Sequence, residues 1–326
     1  MSAVDLLNER RITQMISLTR KLRVHEEKPA HEQQEDSITT HTATMNKNFA
    51  HRGARQLSRL VLLAAVAFTL LLCEYTLAAA ATRWVNDDAA SYLPPGASCN
   101  DAGYSAIQAA VDAASPGDVI QVCPGAYPEN VVIGTSHLTV TSTAGAPATV
   151  VKPAASAYVF AVAAPGTTIR GFTMVPAGFA DFDFGVNVAI DGIARVRILD
   201  NEILGGRIGV NLGCASVGSV VAFNRVNGQT EGGINIDTCE VFPFPGSHNN
   251  SIHHNVACSQ TFTGSIALGG SSDNNQVHHN ITTKISLFGT GNAVHDNITQ
   301  LVIVDNGVNT LNDNTADPGV CSAACP

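Results

Sequence analysis

The pattern Asn-x-apolar-x-x-Asn occurs four times toward the C-terminus, as NSIHHN from Asn250, NQVHHN from Asn275, NAVHDN from Asn292 and NTLNDN from Asn309. ILDN (198–201) and VAFN (221–224) carry its second half. The closing asparagines are Asn201, Asn224, Asn255, Asn280, Asn297 and Asn314, separated by 23, 31, 25, 17 and 17 residues. A second repeat lies among them: DFGVNV (183–188), RIGVNL (207–212) and EGGINI (231–236) recur at a spacing of 24. Short fixed segments joined by loops of variable length are what stacked coils require, because each coil touches only its neighbours.

The spacing therefore predicts short parallel strands stacked in register. Asparagine suits the corners: it tolerates a left-handed backbone, and its amide can bond to the same amide one layer up. The six closing asparagines are expected to form a structural ladder. Val196, Ile198, Ile203, Val210 and Leu212, lying between them, are expected to fill the bore.

Upstream, in SAIQAAVDAASPGDVIQVCPGAYPENVVI, Ile107, Ala110, Val111 and Ala114 share one helical face, and Pro116-Gly117 ends the helix before an apolar strand. With this segment as N-terminal cap and first coil, and with the asparagine repeat after it, the chain resembles the right-handed parallel β-helix proteins of the pectin-lyase-like kind over about residues 99–320. The resemblance implies an all-β fold, a single-stranded right-handed parallel β-helix with an N-terminal capping α-helix. Handedness follows from that resemblance and from the crossover rule. Activity does not follow, because the architecture hosts lyases, hydrolases, esterases, epimerases, adhesins and non-catalytic maturation factors.

Residues 1–44 are polar, mixed in charge and free of glycine, and they carry no functional signal. Between residues 45 and 81, Lys47, Arg52, Arg55 and Arg59 precede an apolar run, Leu60 to Cys73, and a small-residue stretch ending near Ala81. This has the form of an export signal, with Met45 as a candidate start. A signal anchor is the alternative, since the run reaches about twenty residues if Glu74 is tolerated. Residues 82–98 read as a linker and 99–326 as the β-helix domain. The expected location is secreted, periplasmic or cell-surface, with the membrane a partner only if the signal is uncleaved.

Residues 82–326 hold 8 Lys and Arg against 19 Asp and Glu, a net charge of −11. Nucleic acid is excluded as a partner, because phosphate binding needs clustered cations. The same balance disfavours polyanionic glycans. Beyond the signal lie seven cysteines, an odd number in a chain where disulfides are permitted. Cys99 with Cys123 is the expected pair. Cys214 and Cys239 end strands in adjacent coils and form a second candidate pair, with Cys258 competing for Cys239.

Side chains alternate along a strand. With Val186, Val210 and Ile234 facing inward, the outward columns of the 24-residue repeat are Asp183, Arg207, Glu231; Gly185, Gly209, Gly233; and Asn187, Asn211, Asn235. The glycines would form a bare floor, with the asparagines beside it to bind sugar hydroxyls. Two coil spacings place Asp183 and Glu231 roughly 9 to 10 Å apart, near the upper range for an inverting carboxylate pair. Asp183, Arg207 and Glu231, with Asp237 nearby, are the candidate catalytic residues; a salt-bridged ladder is the plainer reading. Asn235-Ile236-Asp237 resembles part of a polygalacturonase strand motif, but that family's paired Asp, Gly-His-Gly and Arg-Ile-Lys are missing. GAYPE (125–129) and DFDFG (181–185) look like pieces of pectin methylesterase motifs, without that family's Gln-Asp-Thr and Leu-Gly-Arg-Pro-Trp. Phe242 and Phe244, in the longest coil, either wall a sugar groove or cover the bore.

The doubled histidines obey the same alternation. His253, His278 and His295 are expected in one exposed column, and His254, His279, Asp296 and Asp313 in a second at the bend. Stacked imidazoles are a candidate divalent-metal site, or one residue type reused by identical layers. No other metal motif supports the first reading. Asn249, Asn280 and Asn297 satisfy Asn-x-Ser/Thr, but the latter two are ladder positions.

These features predict an exported β-helix that binds a polysaccharide or cell-surface glycan, or serves a surface structural role, through an exposed sheet face. A polysaccharide lyase, glycoside hydrolase or epimerase is the alternative, and a metal-binding maturation factor the second. No cofactor is required, and a divalent metal is the one the residues would admit.

Overall fold

Apolar positions come in runs of three to five residues before each bend, so every strand is short. The computed structural model describes residues 79–181, 183–188, 192–237, 246–259 and 264–325. The segment 45–81, apart from its last residues, and the tail before it lie outside these. No helix among the described residues is long and apolar enough to cross a membrane.

The strands form three sheets of ten, eight and nine members, all parallel, and successive strands of one sheet come from successive coils. Each coil passes through the ten-stranded sheet one, then the nine-stranded sheet three, then the eight-stranded sheet two. This is a right-handed parallel β-helix. Register follows the repeat: Ile198, Val221, Ile252, Val277 and Val294 are stacked partners in sheet one, and Val186, Val210 and Ile234 in sheet two. All eight are fully buried. Stacks of this kind fill the bore, each aliphatic side chain contributing about 1.5–3 kcal/mol by leaving water.

The closing asparagines form the expected ladder. Nδ2 of Asn201, Asn224, Asn255, Asn280 and Asn297 donates to Oδ1 of the next asparagine at 3.1, 3.0, 3.0, 2.9 and 2.9 Å. Each Oδ1 also accepts the backbone N–H of the asparagine before it. A second Nδ2 bond reaches a strand carbonyl, such as Ile252 O from Asn280. The polar groups stranded at the bend are thus closed inside the protein.

The left-handed residue, however, is not the ladder asparagine. It is the residue before it: Asp200, Phe223, His254, His279, Asp296 and Asp313 have φ between 51° and 59°. Asparagine is needed for its amide, and the strained backbone falls on a neighbour. A second ladder, not anticipated, runs along the other edge of sheet one. There Asn250, Asn275 and Asn292 donate to Asn275, Asn292 and Asn309 at 2.9, 3.0 and 3.0 Å.

Residues 82–98, expected as a linker, begin the helix: Thr82–Val85 pairs in parallel with Val119–Val122. Helix α1 (Ile107–Asp112) buries Ile107, Ala110 and Val111 over the end of the bore. Its N-terminal donors are met by Glu129, whose carboxylate accepts from Ile107 N and Gln108 N at 2.7 and 2.9 Å. Tyr127 OH donates to Cys123 O at 2.9 Å, and a Cβ at Gly125 would collide with the Asp87 carboxylate. GAYPE is therefore a capping device, with each of these three residues engaged in structure.

Cys99 and Cys123 are bonded across a separation of 24 residues, worth about 3.5 kcal/mol by loop closure. Cys258 pairs with Cys321 and so does not compete for Cys239. That bridge fastens helix α2 (Val320–Ala324) beside Val256 and Ile281 on sheet three. Cys214 is disulfide-bonded, Cys239 lies outside the described residues, and Cys325 is free.

Candidate functional site

Sheet two carries the 24-residue repeat in strands Phe184–Val188, Ile208–Leu212 and Gly232–Ile236. Asn187, Asn211 and Asn235 stack as expected, and Asn211 Nδ2 donates to Asn187 Oδ1 at 3.1 Å. The face is not open: Asn187 and Asn211 are only 7% and 8% exposed. Nor do the glycines form a floor. A Cβ on Gly185 would meet the bore residue Ile203, and one on Gly209 would meet Val226, so their missing side chains face inward.

Asp183, Arg207 and Glu231 are stacked through the backbone, with Arg207 N on Asp183 O at 2.8 Å and Glu231 N on Arg207 O at 3.0 Å. Their side chains separate. Arg207 pairs through Nε with Glu231 and through Nη1 with Asp181 Oδ1 at 3.0 Å. Asp183 is 1% exposed, and its Oδ2 accepts from Ala180 N at 2.7 Å. The ion-paired stack is Asp181–Arg207–Glu231. Asp237 is exposed at the far end of Gly232–Ile236, six residues and therefore about 20 Å from Glu231, against at most about 10 Å for a cooperating carboxylate pair. Phe242 and Phe244 lie outside the described residues.

The open outward face belongs to sheet one. In its N-terminal half Trp84, Gln121, Thr141 and Arg170 are stacked partners on successive coils. They line a groove of 730 Å³ together with Thr139, Thr168 and Asp200. Arg170 Nε bonds Asp200 Oδ2 at 2.8 Å, with both side chains substantially exposed. Trp84, the chain's one tryptophan, was concealed in sequence by the linker assignment. Its signal was its place in the short run TRWV, directly after Arg83, whose guanidinium pairs with Asp118.

The C-terminal half of the same face holds the histidines. His253, His278 and His295 are in register, and successive rings lie parallel with centroids 5.0 Å apart. His254 and His279 stack at 4.9 Å in the second column, with Phe223 over His254 at 5.0 Å. Within each coil the columns converge. His253 Nδ1 is 3.0 Å from His254 Nδ1, His278 Nδ1 is 2.9 Å from His279 Nδ1, and His295 Nδ1 is 2.7 Å from Asp296 Oδ2. Partial burial, then the neighbouring imidazoles, pull His253 below its ordinary pKa and His278 down to about 4. The hydrogen bond from His295 holds Asp296 below the usual carboxylate value.

Parallel rings 5.0 Å apart keep equivalent nitrogens about that far apart, whereas an ion bound at 2.0–2.1 Å spans at most about 4.2 Å. The column His253, His278, His295 therefore does not converge on one ion. Among the described residues the donors that do cluster are His279, His295 and Asp296, all within 4.8 Å of one another. Of the Asn-x-Ser/Thr asparagines, Asn280 and Asn297 are buried in the ladder, while Asn249 is exposed.

No family model and no curated protein matches the sequence. Among solved structures, the chain is similar to a pectin methylesterase from Aspergillus niger at 10% identity, covering 74% of this chain and 87% of that one, with a TM-score of 0.48. It is similar to a pectate lyase at 12% identity, covering 74% and 80%, with a TM-score of 0.46. The catalytic unit of a thermostable α-1,3-glucanase from Streptomyces thermodiastaticus gives 17% identity, 61% and 37% coverage, and a TM-score of 0.45. Likeness at this level concerns the path of the chain alone.

Proposed function

We propose that the protein is an exported, non-catalytic carbohydrate-binding β-helix that holds a neutral glycan chain in the groove along sheet one. The observation that carries this reading is the in-register run Trp84, Gln121, Thr141, Arg170 lining an open 730 Å³ groove. An indole supplies a large, rigid apolar surface with a polar edge. Hydroxyl and amide groups at coil intervals supply the few oriented polar contacts that fix a ligand. The net charge of −11 over residues 82–326 disfavours an acidic glycan, and Arg170 is already paired.

The acids support binding over hydrolysis. Glycoside hydrolysis uses two carboxylates flanking one bond. Asp200 is the only carboxylate among the groove's lining residues, and Arg170 holds it. The signal-like segment before Thr82, with disulfides in the body, supports export.

The test is a glycan array followed by titration of the best neutral ligand. Trp84→Ala should weaken binding on the order of thirtyfold, the loss of one central aromatic anchor. Thr141→Val, which spares the tryptophan, should weaken it less. Absence of any neutral ligand, or unchanged affinity in both variants, removes the proposal. Release of reducing ends or unsaturated products replaces it with an enzyme.

A further inference from the structure

We propose that His279, His295 and Asp296 bind a borderline divalent cation of the Zn²⁺, Cu²⁺ and Ni²⁺ class at the corner between sheets one and three. The inference is independent of glycan binding. It rests on three donors from two adjacent coils. His295 Nδ1 lies 2.7 Å and His279 Nε2 4.0 Å from Asp296 Oδ2, and all three donors fall within 4.8 Å of one another.

A tetrahedral ion with bonds of about 2.1 Å sets its ligand atoms about 3.4 Å apart. The His279–Asp296 gap must close by roughly half an ångström and the His295–Asp296 gap must open by slightly more, set against that spacing. Exposed side chains can make such shifts: these three are 49%, 45% and 35% accessible for His279, Asp296 and His295. Their backbones, by contrast, are held. His279 and Asp296 each immediately precede a ladder asparagine, Asn280 and Asn297, whose amides lock consecutive coils together. The site thus sits on a corner braced by the amide ladder, which holds the ligand backbones in place before an ion arrives.

Donor chemistry narrows the ion. Two imidazoles and one carboxylate suit zinc, copper or nickel, with copper(II) the tightest in the divalent series. Calcium and magnesium want six or more oxygens, and only one carboxylate is in place. Three protein ligands leave a fourth position for water or an exchangeable ligand. His279 also has a partner on its other nitrogen: its Nδ1 is 2.9 Å from His278 Nδ1. That contact orients the ring and fixes which nitrogen is free, which makes His278 a positioning residue rather than a ligand. His253 and His254, one coil further away, lack a carboxylate.

Untagged full-length protein titrated with Zn²⁺ or Cu²⁺ alone, by calorimetry and by metal analysis after dialysis, tests the assignment. One ion per chain is expected. Asp296→Asn and His279→Asn, both compatible with the left-handed backbone, should each weaken the first binding event by on the order of tenfold or more. His295→Ala should do the same. His278→Ala should weaken binding less, and it should also shift the visible spectrum of the Co²⁺ form, which a purely structural residue would not do. His253→Ala should leave affinity within about twofold, since the assignment places it outside both shells. Protein that retains no ion at tens of micromolar metal overturns the proposal, as does unchanged affinity in the Asp296→Asn/His279→Asn double variant. Equal loss in His253→Ala overturns the placement.

Discussion

Two columns of outward residues, one on sheet two and one on sheet one, obey the same alternation and end in opposite environments. Asn187 and Asn211 on sheet two are nearly inaccessible. Trp84 is partly exposed, and Arg170 is substantially so, on sheet one. Pointing away from the bore is a property of the strand. Being open to ligand is a property of what else packs on that face, and a two-residue period carries no information about it. The regular, amide-rich column that looks most like a binding surface is buried at Asn187 and Asn211 and only partly exposed at Asn235, and the heterogeneous column is the more accessible one.

The sharpest way to break this comparison is to add one methyl group to sheet two. At Gly209 a Cβ would strike Val226 in the bore and the Gly233 carbonyl. Gly209→Ala should therefore destabilise by about 3 kcal/mol or more, at the severe end of overpacking. Urea denaturation measures it. If the glycine column were a bare floor toward solvent, the same change would cost almost nothing.

Much of the interior was legible for a physical reason. Bore residues must recur in register, so Val186, Val210 and Ile234 declared themselves through spacing. A ladder amide must recur too, and all six closing asparagines occupy the predicted corner. What recurrence could not convey was which member of Asp-Asn, Phe-Asn or His-Asn bears the positive φ, because three different residue types fill that position. The opening asparagines are visible in the same motif, but Val196 and Ser219 stand at that position in the two coils upstream, so the second ladder recurs over fewer layers than the first. Cys258–Cys321 depends on where helix α2 returns along sheet three, a long-range fact with no local signal. The open groove was missed because its tryptophan stands in a strand whose partner is 37 residues away.

Acid should separate the two faces next. Asp118 is buried, which by itself raises its pKa, but hydrogen bonds from Ser115 N, Ala81 N and Arg83 more than offset this and leave it below the usual value of 3.8. A depressed carboxylate contributes stability that is fully present above the unfolded pKa and is lost as pH falls through the folded one. The window therefore lies below pH 3.8. Asp118 grips residues on both sides of Thr82, so the first coil of the open face should loosen there. Trp84, the only tryptophan, reports it. Its fluorescence should change before the far-ultraviolet signal of the remaining coils does. Asp118→Ala at neutral pH should cost about 3 kcal/mol, the penalty for leaving a largely buried cation and two amides without their partner. Simultaneous loss of both signals would mean that the open face is no more separable than the covered one.

The smallest effects give the cleanest contrast, because they compare two residues at equivalent outward positions. Asn211→Ala removes the donor to Asn187 Oδ1 on the covered face, leaving a buried acceptor unpaired, and should cost about 1–2 kcal/mol. His278→Ala removes a partly exposed ring from a stack whose neighbours remain solvated, and should stay within about 0.5 kcal/mol. Any stability the imidazole stack provides is repeated at each coil, so deleting its middle ring interrupts only its two stacked contacts and its edge contacts with His254 and His279. Stability measured for both variants under one set of conditions decides the matter. A histidine effect equal to the asparagine effect would show that the imidazole columns brace the fold, and would leave them less free to reorganise around an ion. A near-zero histidine effect leaves the columns available for chemistry, since a surface that contributes little to folding can move to meet a ligand.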